Sequence, residues 1–329
     1  MIKKNRSTAS DVAKKAGVSR WTVTRSFLNE DCVSEATREK VKKIAAEMGY
    51  MPNLVARSLI KRQTGMIAIV VDNFMNYYFY QLMREISKQL QEQNLLPILI
   101  NIEDIINIKT IKQAEQFQVD GIIFLGSFFN DYLIRLSKIN NMIPVIVIGR
   151  DVSHLGVRVI SVDNYLAGQE IASLFLSLGY TSFAYIGAPI DDLAKRQRFN
   201  GFSDMLNMHN KNINFNLEIE QYNIIQSYKM VKSFLEKNSF SMGVDAIFCE
   251  NDTLAIGVID ALREKNLNEK IAIVGFDNIQ LGASTSYNLT TYDQKVEILA
   301  KEAINMIYHY ENNIYIKGEL VLRQSHKNN

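Results

Sequence analysis

The 329-residue sequence predicts an all-α head followed by an α/β body of two doubly wound parallel-sheet subdomains. Three observations point to this. Near the N-terminus a glycine separates two short helical segments. From Met66 onward, strand-like apolar runs alternate with helical patterns, the signature of parallel α/β units. Charge divides at the same place: residues 1–62 hold 14 Lys and Arg against 6 Asp and Glu, and the remainder holds 23 against 29. A basic head on an acidic body suits a polyanionic partner for the head. Hydrophobic residues make up 47% of the chain, enough for the large core that a two- or three-domain length requires.

In the head, Ser10 stands where it can cap a helix over 11–16, and Gly17 can take the positive φ that ends it. Ser19 can cap a second helix, from Arg20 to about Leu28. On that helix Val23 and Phe27 share one face, and Trp21 and Arg25 share another. A helix pair with this spacing can lay its second helix in a DNA major groove. Ser34 can cap a third helix, whose apolar stripe is Val41, Ile44, Ala45 and Met48 and which Gly49 ends. Pro52 then opens a two-turn segment through Leu59, too short to be a stable helix by itself.

In the body, buried strands are expected at 66–71, 95–101, 121–125 and 144–148, with helices near 77–93, 108–118 and 131–140. The alternation resumes with a helix over 167–178, strands at 183–187 and 246–250, a helix over 253–264 and a strand at 271–275. Two such units joined by crossing segments leave a cleft, and ligands bind at the carboxyl ends of parallel strands.

Several function classes drop out. Cys32 and Cys249 lie far apart, so there is neither a disulfide framework nor a metal-ligand spacing. His154, His209, His309 and His326 have no zinc-site spacing. No P-loop, nucleophile elbow or HExxH occurs. The expectation is a non-enzyme without cofactor or metal. No apolar stretch follows Lys3, Lys4 and Arg6 as a secretion signal would require, and no run reaches the roughly 18 residues of a membrane span. A cytoplasmic protein with no membrane partner is expected.

The residues Asp11-Val12-Ala13, Ala16-Gly17-Val18-Ser19, Thr22-Val23 and Val33-Ser34 resemble the head of the LacI/GalR family of bacterial transcription regulators. Gly49-Tyr50-x-Pro52-Asn53-x-x-Ala56-Arg57-Ser58-Leu59 resembles that family's hinge. In the body, Val119-Asp120-Gly121-Ile122-Ile123, Val162-Asp163-Asn164, Asn251-Asp252-x-x-Ala255-Ile256-Gly257, Ile273-Val274-Gly275-Phe276-Asp277 and Leu289-Thr290-Thr291 extend the resemblance over nearly the whole chain. It implies a helix-turn-helix DNA-binding domain at 1–50 and a hinge helix with linker at 51–64. It also implies a periplasmic-binding-protein-like body. That body has an N-terminal subdomain at 65–162 and 293–324 and a C-terminal subdomain at 163–292. Crossovers are expected near Asp163, near Asp293 and at the C-terminal strand.

The resemblance also assigns roles. Arg20 and Trp21 fall at the recognition-helix positions that select the operator, and Arg25 at a base- or phosphate-contacting position. Arg can bond guanine O6 and N7 together, and Trp can cover a thymine methyl or a sugar. Ser10, Ser19, Thr22, Thr24 and Asn29 complete the head's implied DNA contacts. The run Ser26-Phe27-Leu28-Asn29 departs from the family's usual Val-Leu-Asn after the Arg. In the hinge, Asn53, Ala56 and Arg57 accompany Leu59, the apolar wedge that unstacks a central base step.

For the effector, the resemblance points to Arg198, Asn251 and Asp277, an arrangement suited to vicinal hydroxyls because each side chain can make paired hydrogen bonds. Asn76, Tyr78 and Phe79 are rim candidates, the rings for stacking on a sugar's apolar face. Here Tyr77 replaces a common Pro, and one extra residue separates Asp72 from Asn76. Ser127 is a further candidate. Gly149 replaces a frequent Asp, and the adjoining Arg150 suits an anionic group. The expectation is a regulator, foremost a repressor, that binds a palindromic double-stranded operator as a homodimer. A small molecule controls it, foremost a sugar or sugar derivative. A phosphorylated sugar, a nucleobase or a protein co-repressor are the alternatives for the effector, and a solute-binding transport protein is the remote alternative for the chain. The family's tetramers carry a C-terminal leucine-heptad helix, and residues 324–329 hold none, which favours a dimer.

Overall fold

The computed structural model describes residues 7–27, 32–51, 63–71, 73–74, 76–102, 117–126, 143–149, 152, 156–187, 193–219, 222–238, 243–309 and 312–327. The chain divides into two compact units, Met1–Gly65 and Met66–Asn329. The expected helices at 108–118 and 131–140 and the hinge segment 52–59 fall wholly or largely outside the described residues.

In the head unit, α1 (Ala9–Ala16) is capped by Thr8, not by Ser10. Thr8 Oγ1 accepts from the Asp11 amide at 3.3 Å, and the Asp11 carboxylate accepts from the Thr8 amide at 2.8 Å. This reciprocal box needs an acidic residue three positions after the cap, and Asp11 supplies it only if the cap is Thr8. The Thr8 bonds hold the Asp11 carboxyl below the usual carboxylate range. Gly17 takes φ 68° to end α1, and Ser19 caps α2 (Arg20–Ser26). Phe27 closes α2 at its C-cap, and its ring meets Tyr50 edge-on at 6.1 Å. The departure from the family's pattern at Phe27 is therefore accommodated by aromatic packing within the head. Ser34 caps α3 (Glu35–Glu47). Val12, Ala13, Ala16, Val23, Val41 and Ala45 form the shared core.

The body unit contains two parallel-dominated sheets. The first is built from β1 (Met66–Val71), β2 (Leu96–Asn101), β3 (Gly121–Leu125), β4 (Val145–Ile148), β5 (Arg158–Val162) and β11 (Ile314–Ile316), in spatial order β11-β5-β4-β3-β1-β2. The second is built from β6 (Phe183–Gly187), β7 (Ile213–Glu218), β8 (Ala246–Cys249), β9 (Ala272–Phe276), β10 (Thr290–Asp293) and β12 (Glu319–Val321), in order β12-β10-β9-β8-β6-β7. The central strands are buried along their length, as a sheet covered on both faces requires. Helices α4 (Tyr77–Glu92) and α9 (Val296–Tyr308) pack with the first sheet. Helices α5 (Asn164–Ser177), α6 (Leu193–Met208), α7 (Ile224–Lys237) and α8 (Asp252–Glu264) accompany the second.

The chain crosses between sheets at three places. Asp163, at the first, caps α5 through its carboxylate. The second follows Asp293, with Lys295 at φ 59°. The third is Lys317-Gly318, and it corrects the expected boundary at 324. β12 pairs antiparallel with β10, Thr291 opposite Val321, so the last strand belongs to the second sheet. Only glycine fits that crossing, because a Cβ on Gly318 would stand 2.2 Å from the Tyr292 ring.

Helices α5 and α6 lie backbone to backbone. A Cβ on Gly168 would be 2.2 Å from the Arg198 carbonyl oxygen, and one on Gly201 would be 2.0 Å from that of Tyr165. This contact fixes α6, and with it Arg198, against the mouth of the second sheet.

Candidate functional site

The head presents α2 as a polar, partly exposed surface. Ser19 Oγ accepts from the Thr22 amide at 3.0 Å and lies 2.9 Å from Thr22 Oγ1, while Thr24 Oγ1 donates to the Arg20 carbonyl at 3.1 Å. Ser19 thus serves first as a cap, and Thr22 and Thr24 are tied to their own helix. Ser10 and Arg20 are exposed, and the Trp21 indole is 55% exposed, so it is not absorbed into the head's core. The Arg25 guanidinium lies over the Trp21 ring at 4.1 Å and donates to Cys32 Sγ at 2.9 Å. The four-residue spacing of Trp21 and Arg25 therefore yields a cation–π pair on the outward face. Asn29, Asn53, Ala56, Arg57 and Leu59 lie outside the described residues.

In the body, polar side chains gather at the carboxyl ends of β8 and β9. Arg198 Nε donates to Asn164 Oδ1 at 2.6 Å, its Nη1 donates to the Glu250 carbonyl at 3.0 Å, and its guanidinium stacks 3.6 Å from the Phe276 ring centroid. Asp277 directly follows β9, holds φ 108° and is 5% exposed. Its Oδ1 accepts from Gln294 Nε2 at 2.6 Å. Arg198 and Asp277 form no ion pair, yet the guanidinium is close enough to act on the carboxylate. Burial pushes the Asp277 carboxyl up to about 7, against the lowering pull of Arg198 and Gln294, and nearby Glu250 adds to the rise. Asp252, buried at the start of α8, is also pushed well up by burial and by Asp277. It accepts from Thr291 Oγ1 at 2.6 Å and from the Ile279 amide at 2.8 Å.

Not every sequence candidate joins this cluster. Tyr78 does: burial raises its hydroxyl pKa well above the ordinary value, with Asp277 and Arg198 among the charges acting on it. Its Oη is buried with no hydrogen-bond partner among the described residues. Phe79 is packed in the apolar core of the first sheet with Leu82 and Ile86, and its ring centroid lies 6.0 Å from that of Tyr78. Asn76 uses its amide oxygen to cap α4, accepting from the Tyr78 amide at 3.0 Å. Asn251 likewise caps α8, accepting from the Leu254 amide at 2.9 Å. Ser127 and Arg150 lie outside the described residues. Asn164, Glu250 and Gln294 were not singled out from the sequence. For Glu250 a signal existed: a charged residue directly ends a run of buried strand residues. Nothing in periodicity marks Gln294.

The same two units appear in comparisons with known proteins. Residues 8–53 match the family of bacterial regulatory proteins, lacI family, and residues 67–313 match the periplasmic binding protein domain. The chain is 30% identical over 304 residues to the HTH-type transcriptional regulator DegA of Bacillus subtilis, covering 90% of this chain and 89% of that protein. The chain belongs to the lacI family of bacterial regulatory proteins. This lacI-family protein is a DNA-binding transcriptional regulator with an effector-binding domain, and its relatives are regulators, not enzymes. Its fold is similar to that of the lac repressor dimer bound to operator and the anti-inducer ONPF, with a TM-score of 0.86 at 20% identity over 98% of this chain and 100% of that one. It is also similar to the transcriptional regulator CelR in its cellobiose complex, with a TM-score of 0.68 at 24% identity over 97% and 100% of the two chains. Among the described residues no helix is long and apolar enough to cross a membrane.

Proposed function

We propose that this lacI-family regulator is a repressor that binds a palindromic operator as a homodimer and is controlled by a sugar or sugar derivative. The observation that supports an effector of this kind is the polar cluster around Arg198 and Asp277 at the ends of β8 and β9, where parallel sheets bind ligands. A guanidinium held on the Phe276 ring, a buried carboxyl and a buried phenol together offer the donors and acceptors a polyol needs. The solved relative CelR holds cellobiose, which agrees with this class. Arg20, Trp21 and Arg25 read the operator, and Leu59 wedges its centre. The homodimer matches the two half-sites of a palindrome.

A thermal-shift screen of sugars with the purified protein, followed by operator gel shifts with and without each hit, tests the reading. A sugar that stabilises the protein and weakens or strengthens operator binding by tenfold or more supports it. Stabilisation that Arg198→Ala leaves unchanged would remove the effector from this cluster. Light scattering giving other than twice the 37.6 kDa chain mass would overturn the dimer.

A further inference from the structure

Arg198 is held from two directions, and each hold ends where the chain crosses between the sheets. The first runs through Asn164, a buried residue directly after the first crossing. Arg198 Nε donates to Asn164 Oδ1 at 2.6 Å, and Asn164 Nδ2 donates to Ser161 Oγ and to the Val162 carbonyl, both at 3.1 Å. Chemistry fixes the orientation of this amide, because a guanidinium has no acceptor and a carbonyl has no donor. The neighbouring Asp163 amide donates to the Ile316 carbonyl at 2.8 Å, which ties the first crossing to the third.

The second hold runs through rings. The Arg198 guanidinium lies 3.6 Å from the Phe276 centroid, and Phe276 stacks on Tyr292, with centroids 5.2 Å apart and planes at 16°. These two residues are opposite one another in the pairing of β9 with β10, and Tyr292 directly precedes Asp293 at the second crossing. Tyr292 Oη donates to Glu170 Oε2 at 2.9 Å, and Lys317 of the third crossing reaches Glu170 Oε1 at 2.6 Å. The Tyr292 ring also closes on Gly318 of that crossing, where a Cβ would not fit.

All three crossings are thus joined to one guanidinium. Close-packed, bonded groups transmit a displacement instead of absorbing it. We infer that Asn164 and Tyr292 are positioning residues that mount Arg198 on the crossings, so that the setting of the guanidinium and the setting of the two sheets change together. Neither residue has to touch the effector. The inference rests on Arg198 as an effector contact, whatever the effector is. Lying between two places is no proof of coupling, so the test must measure coupling itself.

Two measurements on the full-length protein do so without a ligand. The first follows the Arg198 Nε–H by NMR after labelling with nitrogen-15 arginine, the signal being assigned by its loss in Arg198→Lys. Tyr292→Phe keeps the ring and removes only the bond to Glu170, which does not touch the guanidinium. It should still speed exchange of the Nε–H with water, and Asn164→Ala should abolish its protection. The second measures affinity for the duplex that the wild-type protein selects from a randomised library. Tyr292→Phe and Asn164→Ala should each change that Kd by about two- to thirtyfold, and neither should change it further in an Arg198→Ala background. Thermal melts check folding, and Tyr292→Phe alone decides the matter if Asn164→Ala does not fold. Effects that simply add to that of Arg198→Ala, an unchanged Kd, or Nε–H exchange untouched by Tyr292→Phe would overturn the mounting. The sugar screen is a separate outcome: if no sugar binds while the coupling is found, the sugar reading falls and the mounting stands.

Discussion

Asp277 shows how much a single position can carry. It sits at φ 108°, buried, with one oxygen on Gln294 and a guanidinium within electrostatic reach. An Asp tolerates positive φ better than a bulky residue does, and the strand end needs the turn there. Its folded carboxyl titrates at about 7, above the roughly 3.9 of an unfolded chain. Over that window the folded state holds the proton and the unfolded state does not, so stability from this group falls as pH rises from about 4 to about 7 and then levels off. Asp277→Asn removes the ionisation. Its gain in unfolding free energy should therefore be larger at pH 8 than at pH 5, by roughly 1–3 kcal/mol. Denaturant titrations at the two pH values measure it, and an equal gain at both would show that Asp277 titrates normally. Trp21 gives the complementary case, a large ring kept outside. An indole 55% exposed, with the Arg25 guanidinium over its ring, faces solvent and not a core.

At the scale of elements, the contact between α5 and α6 couples packing to the site. Gly201→Ala must displace the Tyr165 carbonyl, which lies 2.0 Å from the new Cβ, and α6 carries Arg198. The substitution should cost about 1–3 kcal/mol as overpacking and weaken effector binding as Arg198 moves. If unfolding titrations show no loss, or effector affinity stays unchanged in a destabilised protein, the helices are not what positions the guanidinium. The hinge segment makes a second test. If Leu59 acts as the proposed wedge, Leu59→Ala should weaken specific operator binding much more than nonspecific binding. Equal losses in gel-shift titrations would sink that role.

These elements also show what the sequence could reveal. Strands such as Gly121–Leu125 and Phe183–Gly187 were legible because buried parallel strands are continuous apolar runs. The short edges Ile314–Ile316 and Glu319–Val321 were not, since three half-exposed residues carry no period. Thr8 and Ser10 both have the right chemistry to cap α1, and only the reach of Asp11 decides between them. In the candidate cluster, Arg198 and Asp277 come forward by resemblance. Gln294 was not, because its role arises where the crossing after Asp293 folds back onto β9. Asn76 and Asn251 fitted a ligand-binding pattern, but their amide oxygens are committed to helix caps.

At the scale of the whole molecule, two units of opposite charge have separate cores. The basic head supplies the salt-sensitive part of operator affinity. Each phosphate neutralised should steepen the fall of log K with log salt by about 0.9. The body supplies the ligand dependence, through an effector that binds one body conformation better than another. Such coupling is reciprocal: whatever factor the effector applies to operator affinity, the operator must apply to effector affinity. For a coupling of about 1–3 kcal/mol both factors lie near 5–150-fold. Calorimetric titration of effector into the protein, with and without saturating operator duplex, gives one factor. Operator titrations with and without saturating effector give the other. A factor different from one, the same in both titrations, would establish that effector binding and operator binding are energetically coupled. If the operator left effector affinity untouched, the body could not be the controller of the head, however tightly it bound its ligand.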